Sequence, residues 1–353
     1  MKKKSNVRVA CVQAAPVYFD LDRTVEKGIR LIAEAASSGA MYIGFPEVWI
    51  PGYPLFAWLN APIGSLPHMP GYRDNSLVVG DEHDLALRRA AHENGIYVCM
   101  GYAERFGGSL FMGQMLISPE GDPLIVRRKL KPTLAERSVF GEGDGTHLKV
   151  VDTEIGRLGA LNCWEHLQPL LKYAMYAQNE QIHTASWPAL ALYREQSYAL
   201  GREATWAVSQ TYALEGQCYV LASTMNATPE VVEMLCDTPE KRSWLAAGGG
   251  ASMIFGPDGA PLCTPIPHDQ EGILYAEVDF DAIGIAKTTA DPAGHYARPD
   301  VTRLLLNTAP GRRVVPMDEF MQAGARVAGD CACDPGAVGC DGDECSCSDS
   351  GRA

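Results

Sequence analysis

The chain has 353 residues, 46% of them hydrophobic and 21% charged, enough for one large domain or two ordinary ones around a sizeable core. Its 30 basic and 43 acidic residues leave a net charge of −13 with histidine neutral. That excludes a general binder of nucleic acid or anionic membrane, which needs a basic face. No apolar run is long enough for a transmembrane helix. The start Met1-Lys2-Lys3-Lys4 leads into an alternating segment instead of the apolar core of a signal peptide, so the sequence reads as a soluble cytoplasmic protein.

In chain order, Val7–Gln13 alternates and predicts a strand. Asp20 is placed to cap a helix through residue 37, with Val25, Ile29, Ile32 and Ala36 on one face. Residues 42–45 form a short strand. Glu82–Asn94 predicts an amphipathic helix stopped by Gly95. Residues 97–102, 110–117 and 124–128 read as strands, the last two joined by the turn Pro119-Glu120-Gly121-Asp122. A strand at 158–161 precedes a helix at 167–179, whose Pro169 is tolerated in the first turn. A strand at 182–185, a long helix at 193–215, and strands at 219–223, 251–255 and 273–278 complete the pattern. Strands alternating with helices predict an α/β fold, and the 110–128 hairpin adds antiparallel pairing. No repeat or linker interrupts residues 5–285, so the body reads as one domain.

Eleven cysteines divide into two groups. Cys11, Cys99, Cys163, Cys218, Cys236 and Cys263 are scattered, mostly in apolar stretches where a small buried hydrophobe is expected; the odd, wide distribution does not suggest a disulfide scaffold. Cys331, Cys333, Cys340, Cys345 and Cys347 crowd residues 330–353, a segment with net charge −5 and a single large aliphatic residue, Val338. Such a segment cannot bury a core, and a disordered acidic tail is expected. Its cysteine spacing permits soft-metal binding but lacks the paired C-x2-C knuckles of a strong zinc signature, so no metal site is assigned. Residues 306–329 form an extension between body and tail.

Three segments combine strand ends with reactive side chains. Glu47 follows a strand amid Phe45, Pro46 and Trp49; desolvation there would raise its carboxyl toward the range of a general base. In residues 126–137, a strand-end lysine beside an acid can stabilise a developing anion, while Arg127, Arg128 and Lys131 read as a solvated turn. Cys163 lies between an apolar strand and a helix, a turn that exposes a nucleophile and aims backbone N–H groups at it. The helix start would favour thiolate. His166, three residues on, is placed to support structure and not to serve as the base.

These segments, Phe-Pro-Glu at Glu47, Arg-Lys-Leu-Lys-Pro-Thr at Lys129 and Leu-Asn-Cys-Trp-Glu-His at Cys163, together resemble the nitrilase family of carbon–nitrogen hydrolases, in the family's order. The likeness continues through residues 139–145, 172–176, 185–188 and 294–300 and spans about residues 6–305. The cysteine-rich tail has no part in it. The resemblance implies an α-β-β-α four-layer sandwich, pairing into an eight-layer homodimer that extends into larger oligomers or spirals. It implies Cys163 as nucleophile, Glu47 as general base, Lys129 as general acid and oxyanion stabiliser, and Glu136 as a supporting acid.

The residue types suit that chemistry. A weakly electrophilic nitrile carbon favours thiolate attack. Lys129 and the Trp164 N–H could stabilise the charge that builds on nitrogen. No metal or organic cofactor is required. The aromatic residues Trp49, Tyr53, Trp58, Trp164, Trp187 and Tyr193 are candidate pocket walls and point to aromatic or arylaliphatic nitriles, with core packing the rival reading for most of them. An amidase or carbamoylase of the superfamily, a cyanide dihydratase, and an inactive scaffold on the same fold are the alternatives.

Overall fold

Side-chain alternation along each strand divides the apolar residues between two kinds of layer. The computed structural model describes residues 7–194 and 196–319, and the expectations for the tail at 330–353 lie outside the described residues. The elements are β1 (Val7–Gln13), α1 (Leu21–Ser37), β2 (Tyr42–Gly44), the short helices α2 (Phe56–Leu59), α3 (Pro62–Ser65) and α4 (Met69–Asp74), α5 (Glu82–Asn94), β3 (Tyr97–Phe106), β4 (Ser109–Ile117), β5 (Pro123–Arg128), β6 (Val151–Thr153), β7 (Gly156–Asn162), α6 (Pro169–Tyr176), β8 (Ile182–Trp187), α7 (Arg202–Gly216), β9 (Tyr219–Thr224), α8 (Pro229–Leu235), α9 (Pro239–Trp244), β10 (Met253–Phe255), β11 (Gly272–Val278) and α10 (Phe280–Thr289).

The strands run β5-β4-β3-β2-β1-β9-β8-β7-β6, with β11 on β1 and β10 on β9. A single pair, Gln13 with Thr224, joins β1 to β9, so the sheet folds into two facing halves there. Within the first half β1, β2 and β3 are parallel and β3-β4-β5 is an antiparallel meander. Within the second, β7, β8 and β9 are parallel.

Val7, Val9 and Cys11 of β1 meet Leu158, Ile182 and Leu221 between the halves. The alternate residues Ala10 and Val12 face outward, against Ile32 and Ala35 of α1 and Leu87 and Ala91 of α5. On the other side, Met175 of α6 and Tyr212 and Ala213 of α7 cover Leu161, Ala185 and Val220. The result is the expected α-β-β-α sandwich. Each fully buried aliphatic side chain contributes about 1.5–3 kcal/mol, so truncating Ile32 to Ala would cost about 2–5 kcal/mol. Residues 7–310 make one compact unit; residues 311–319 belong to a second, in which Arg312 pairs with Glu319 at 2.6 Å.

Helix ends follow their local signals. Asp20 accepts a hydrogen bond from the Arg23 N–H at the start of α1, and Gly95 ends α5 in the left-handed conformation at φ 60°. The long helix expected over 193–215 is the exception: only Arg202–Gly216 is α-helical. Tyr193 has a φ of 51°, its N–H donates to the Trp244 carbonyl at 2.7 Å, and its hydroxyl donates to the Trp58 carbonyl at 2.7 Å. These tertiary ties override the segment's helical propensity.

Candidate active site

Glu47 lies in the loop that leaves β2 at the edge where the two halves meet. Its N–H donates to the Trp187 carbonyl at 3.2 Å, which ties the loop to β8. Gly101 of β3 lets that loop pass: a Cβ there would come 2.0 Å from the Pro46 carbonyl oxygen. The Glu47 side chain is fully buried. Its Oε1 accepts from Lys129 Nζ at 2.9 Å, and its Oε2 has no hydrogen-bond partner among the described residues.

Lys129 directly follows β5, and period-two alternation puts Ile125, Arg127 and Lys129 on the inward face. Its ammonium also donates to Glu136 Oε2 at 2.7 Å. Glu136 closes a capping box on the 3-10 turn Leu134–Ser138, accepting from the Thr133 N–H at 2.5 Å and from the Tyr53 hydroxyl at 2.6 Å. The indole of Trp58 donates to that same hydroxyl at 3.0 Å. One cation therefore sits between two carboxylates, all three buried.

Cys163 opens a 3-10 turn, Cys163–Leu167, at the end of β7. Its φ of 44° is left-handed, a conformation that costs a non-glycine residue on the order of 1–3 kcal/mol. Glu165 holds the turn. Its carboxylate accepts from the Asn162 N–H at 2.8 Å, from the Leu130 N–H at 2.9 Å and, through both oxygens, from Nη2 of the Arg127 guanidinium at 2.8 and 2.9 Å. Glu165 thus fixes the residue before the cysteine against the residue after the lysine. His166 reaches back to the Cys163 carbonyl through Nδ1 at 2.6 Å.

Burial pushes the Glu47 carboxyl up to about 8, against the pull of Lys129. Burial would lower the Lys129 ammonium, but Glu136 and Glu47 outweigh it and hold it above its ordinary value, so it stays charged. Burial and the Glu47 charge raise the Cys163 thiol well above its ordinary value, with Lys129 pulling the other way. A thiol held in this way needs a nearby base, and Glu47 is the carboxylate whose charge acts on it most strongly.

Cys163 lines a small cavity that opens to solvent. Tyr53, Glu136 and Thr133 line its polar side; Trp58, Trp164, Trp187, Leu190, Leu192 and Leu200 make apolar walls.

Residues 8–288 match the family model of the carbon–nitrogen hydrolases. The chain belongs to the carbon–nitrogen hydrolase family. It is 54% identical to a nitrilase of Pseudomonas syringae pv. syringae over 90% of this chain and 94% of that one. It is 49% identical to an aliphatic nitrilase of Rhodococcus rhodochrous, covering 85% of this chain and 82% of the relative. An arylacetone-specific nitrilase of Alcaligenes faecalis is 47% identical over 87% and 86% of the two chains. Among solved structures, the C. elegans NitFhit protein matches with a TM-score of 0.65 at 18% identity, over 89% of this chain and 70% of that one. An amidase from Nesterenkonia sp. matches with 0.56 at 17% identity, over 80% and 95%. At these identities the structural likeness shows the fold alone.

In this carbon–nitrogen hydrolase Glu47, Lys129 and Glu136 are brought into contact, and Cys163, Trp164 and Trp187 share the cavity beside Glu136. Three expectations are corrected. Arg127 is not solvated: it is buried and paired with Glu165, because it shares the inward face with Lys129. Arg128 is also tied down, to Glu104 at 2.6 Å and over the ring of Phe111; only Lys131 is exposed. Second, α6 begins at Pro169, beyond an extended Gln168, so no α-helix N-terminus meets the Cys163 thiol. Third, Trp49 packs in the core with its indole N–H on the Ala14 carbonyl, and Tyr193 braces Trp58 from behind; neither lines the cavity. The anchoring role of Arg127 and Glu165 escaped the sequence reading, although the inward spacing of Ile125, Arg127 and Lys129 carries the signal.

Proposed function

We propose that this enzyme hydrolyses an organic nitrile with an apolar substituent to the carboxylic acid and ammonia through Cys163. The observation that carries the reading is the buried Glu47–Lys129–Glu136 cluster beside a cysteine at the base of an apolar cavity. Glu47 takes the thiol proton and the sulfur adds to the nitrile carbon. Lys129 and the Trp164 N–H stabilise the charge on nitrogen; Lys129 protonates it to a thioimidate and recovers the proton held by Glu47, which restores the Glu47 carboxylate. Glu47 then deprotonates a water that adds to the thioimidate carbon. The tetrahedral intermediate expels ammonia and leaves a thioester. A second water cleaves that thioester, releasing the acid and restoring the thiol.

Two of the three Lys129 N–H bonds are committed to Glu47 and Glu136. The third N–H is left for the reacting atom of the substrate, a nitrile nitrogen in this reading. The names of the relatives support this reading over an amidase. Trp58, Trp164 and Trp187 favour aromatic or arylaliphatic substrates. Exposed Leu170 on α6 and Leu214 on α7 support pairing of the outer helical layers in a homodimer, with larger assemblies built from it. No helix among the described residues is long and apolar enough to cross a membrane, and we place the enzyme in the cytoplasm. The domain spans residues 1–305, with 306–329 as an extension.

The test is ammonia and acid release from aliphatic, aromatic and arylacetonitriles, cyanide, and matched amides. The proposal expects acid and ammonia in equal amounts from nitriles, fastest with apolar substituents. Turnover confined to amides, or to cyanide, would replace it with the corresponding alternative.

A further inference from the structure

Behind the nucleophile lies a second buried cluster, none of whose residues lines the cavity, although His166 stacks on the wall residue Trp187. His166 Nδ1 is 2.6 Å from the Cys163 carbonyl oxygen, and its Nε2 is 2.9 Å from Nε2 of His183. His183 Nδ1 is 2.7 Å from Glu180 Oε1, and the Tyr212 hydroxyl is 2.6 Å from Glu180 Oε2. All four side chains are at most 1% exposed. The space is built for the carboxyl: a Cβ on Gly159 would come 2.0 Å from Glu180 Oε1.

The proton positions follow from the one partner that cannot donate. The Cys163 carbonyl only accepts, so His166 donates from Nδ1. A neutral His166 then accepts at Nε2, and His183 must donate there. A neutral His183 accepts at Nδ1, so Glu180 must be the donor, as a carboxylic acid. Tyr212 donates to its other oxygen. We propose that Glu180, His183 and His166 are positioning residues: a one-directional hydrogen-bond chain, running from a protonated Glu180 to the Cys163 carbonyl, that sets the Cys163–Trp164 peptide for catalysis.

That peptide carries both relevant groups. Its carbonyl belongs to Cys163, and its N–H is the Trp164 donor that faces the thiol. Hydrogen bonds in a chain polarise one another, so donation into the carbonyl strengthens the N–H toward sulfur and the developing anion. Burial favours the neutral forms assigned: it raises the Glu180 carboxyl to about 8 and lowers both imidazoles well below their ordinary value. The nearest cations, Arg127 and Lys172, are neutralised by Glu165 and Glu215.

The inference rests on Cys163 as the nucleophile, and the experiment separates the two. Glu180→Gln retains a donor for His183 and an acceptor for Tyr212, so it should fold and rescue kcat to within about threefold of wild type. Its infrared difference spectrum near neutral pH should show loss of one carboxylic-acid C=O band. An unchanged spectrum, loss of a carboxylate band instead, or failure of this variant to fold overturns the assignment. His183→Phe keeps the ring stacked on Tyr212, 3.9 Å between centroids, and severs the chain. Removing an oxyanion donor costs about 10²–10³ in rate; weakening one should lower kcat on the order of tenfold, with KM within about twofold. Unchanged kcat, or an equal change in KM, overturns the proposal. If His183→Phe does not fold, the Glu180→Gln spectrum decides. Undiminished turnover by Cys163→Ala would instead sink the nucleophile assignment and leave the infrared result standing.

Discussion

Glu47→Gln should inactivate the enzyme and stabilise it. The carboxyl is fully buried and held up to about 8 against its ordinary 4.5. Folding at pH 7 therefore has to reprotonate a group that is ionised in the unfolded chain, across about 2.5 decades of proton affinity. At about 1.4 kcal/mol per decade that costs about 3 kcal/mol. The coupling to Lys129 and Glu136 reduces the recoverable part, and a gain of about 1–3 kcal/mol is expected. Glutamine is neutral in both states and still accepts from Lys129, leaving Lys129 and Glu136 as a balanced pair. The sign is that of a raised pKa: wild-type stability falls as pH rises from 4.5 to about 8, so the advantage of Glu47→Gln is absent at pH 4, grows through that window, and is complete above it. At about 2–4 °C per kcal/mol, Tm should rise by roughly 2–12 °C at pH 8. Calorimetry at pH 4.5, 6 and 8 reads the trend, and ammonia release reads a kcat loss of about 10²–10⁴. A variant that melts below wild type at pH 8, or a Tm difference flat with pH, would refute the account of a strained, desolvated base.

The opposite behaviour is expected of Lys129→Met, which leaves two buried carboxylates facing each other. It should lose about 10²–10³ in kcat and about 3–5 kcal/mol of stability, with the stability loss easing at acid pH as the carboxylates protonate; melting curves at pH 5 and 8 check this. Although Lys129 looks like a clean site for removing one charge, its burial between Glu47 and Glu136 makes the substitution structural as well as chemical. Arg127→Met should cost about 3–5 kcal/mol by stranding the Glu165 carboxylate, and adding Glu165→Gln should recover part of that. A double-mutant cycle by denaturant unfolding measures the coupling, which should be at least about 1 kcal/mol.

Legibility tracked how local the deciding forces were. The cap of α1 by Asp20, the Gly95 stop of α5 and the strand alternation of β1 act within a few residues, and the fold follows the sequence there. Helices α8 and α9 carry an equally local signal, Thr228-Pro229 and Thr238-Pro239, whose cap-plus-proline pattern could have placed them. The 193–201 segment could not be read locally, because bonds from Tyr193 to Trp58 and Trp244 decide it. At the site, the reactive types and their order were visible at Glu47, Lys129 and Cys163. Their support was not: Glu165 joins Asn162 to Leu130 across the fold, and the partners of His166, namely His183 and Glu180, come from the next strand and the loop before it. Burial hid Arg127, since a charged run resembles a solvated turn until its strand register is known.

The most direct test of the central claim is intact-protein and peptide mass spectrometry on enzyme quenched during turnover of an arylacetonitrile. The account predicts a thioimidate or acyl adduct on the peptide containing Cys163, absent in Cys163→Ala, with that variant folded and unable to release ammonia. An adduct on another residue, or nitrile hydrolysis persisting in Cys163→Ala, would contradict it.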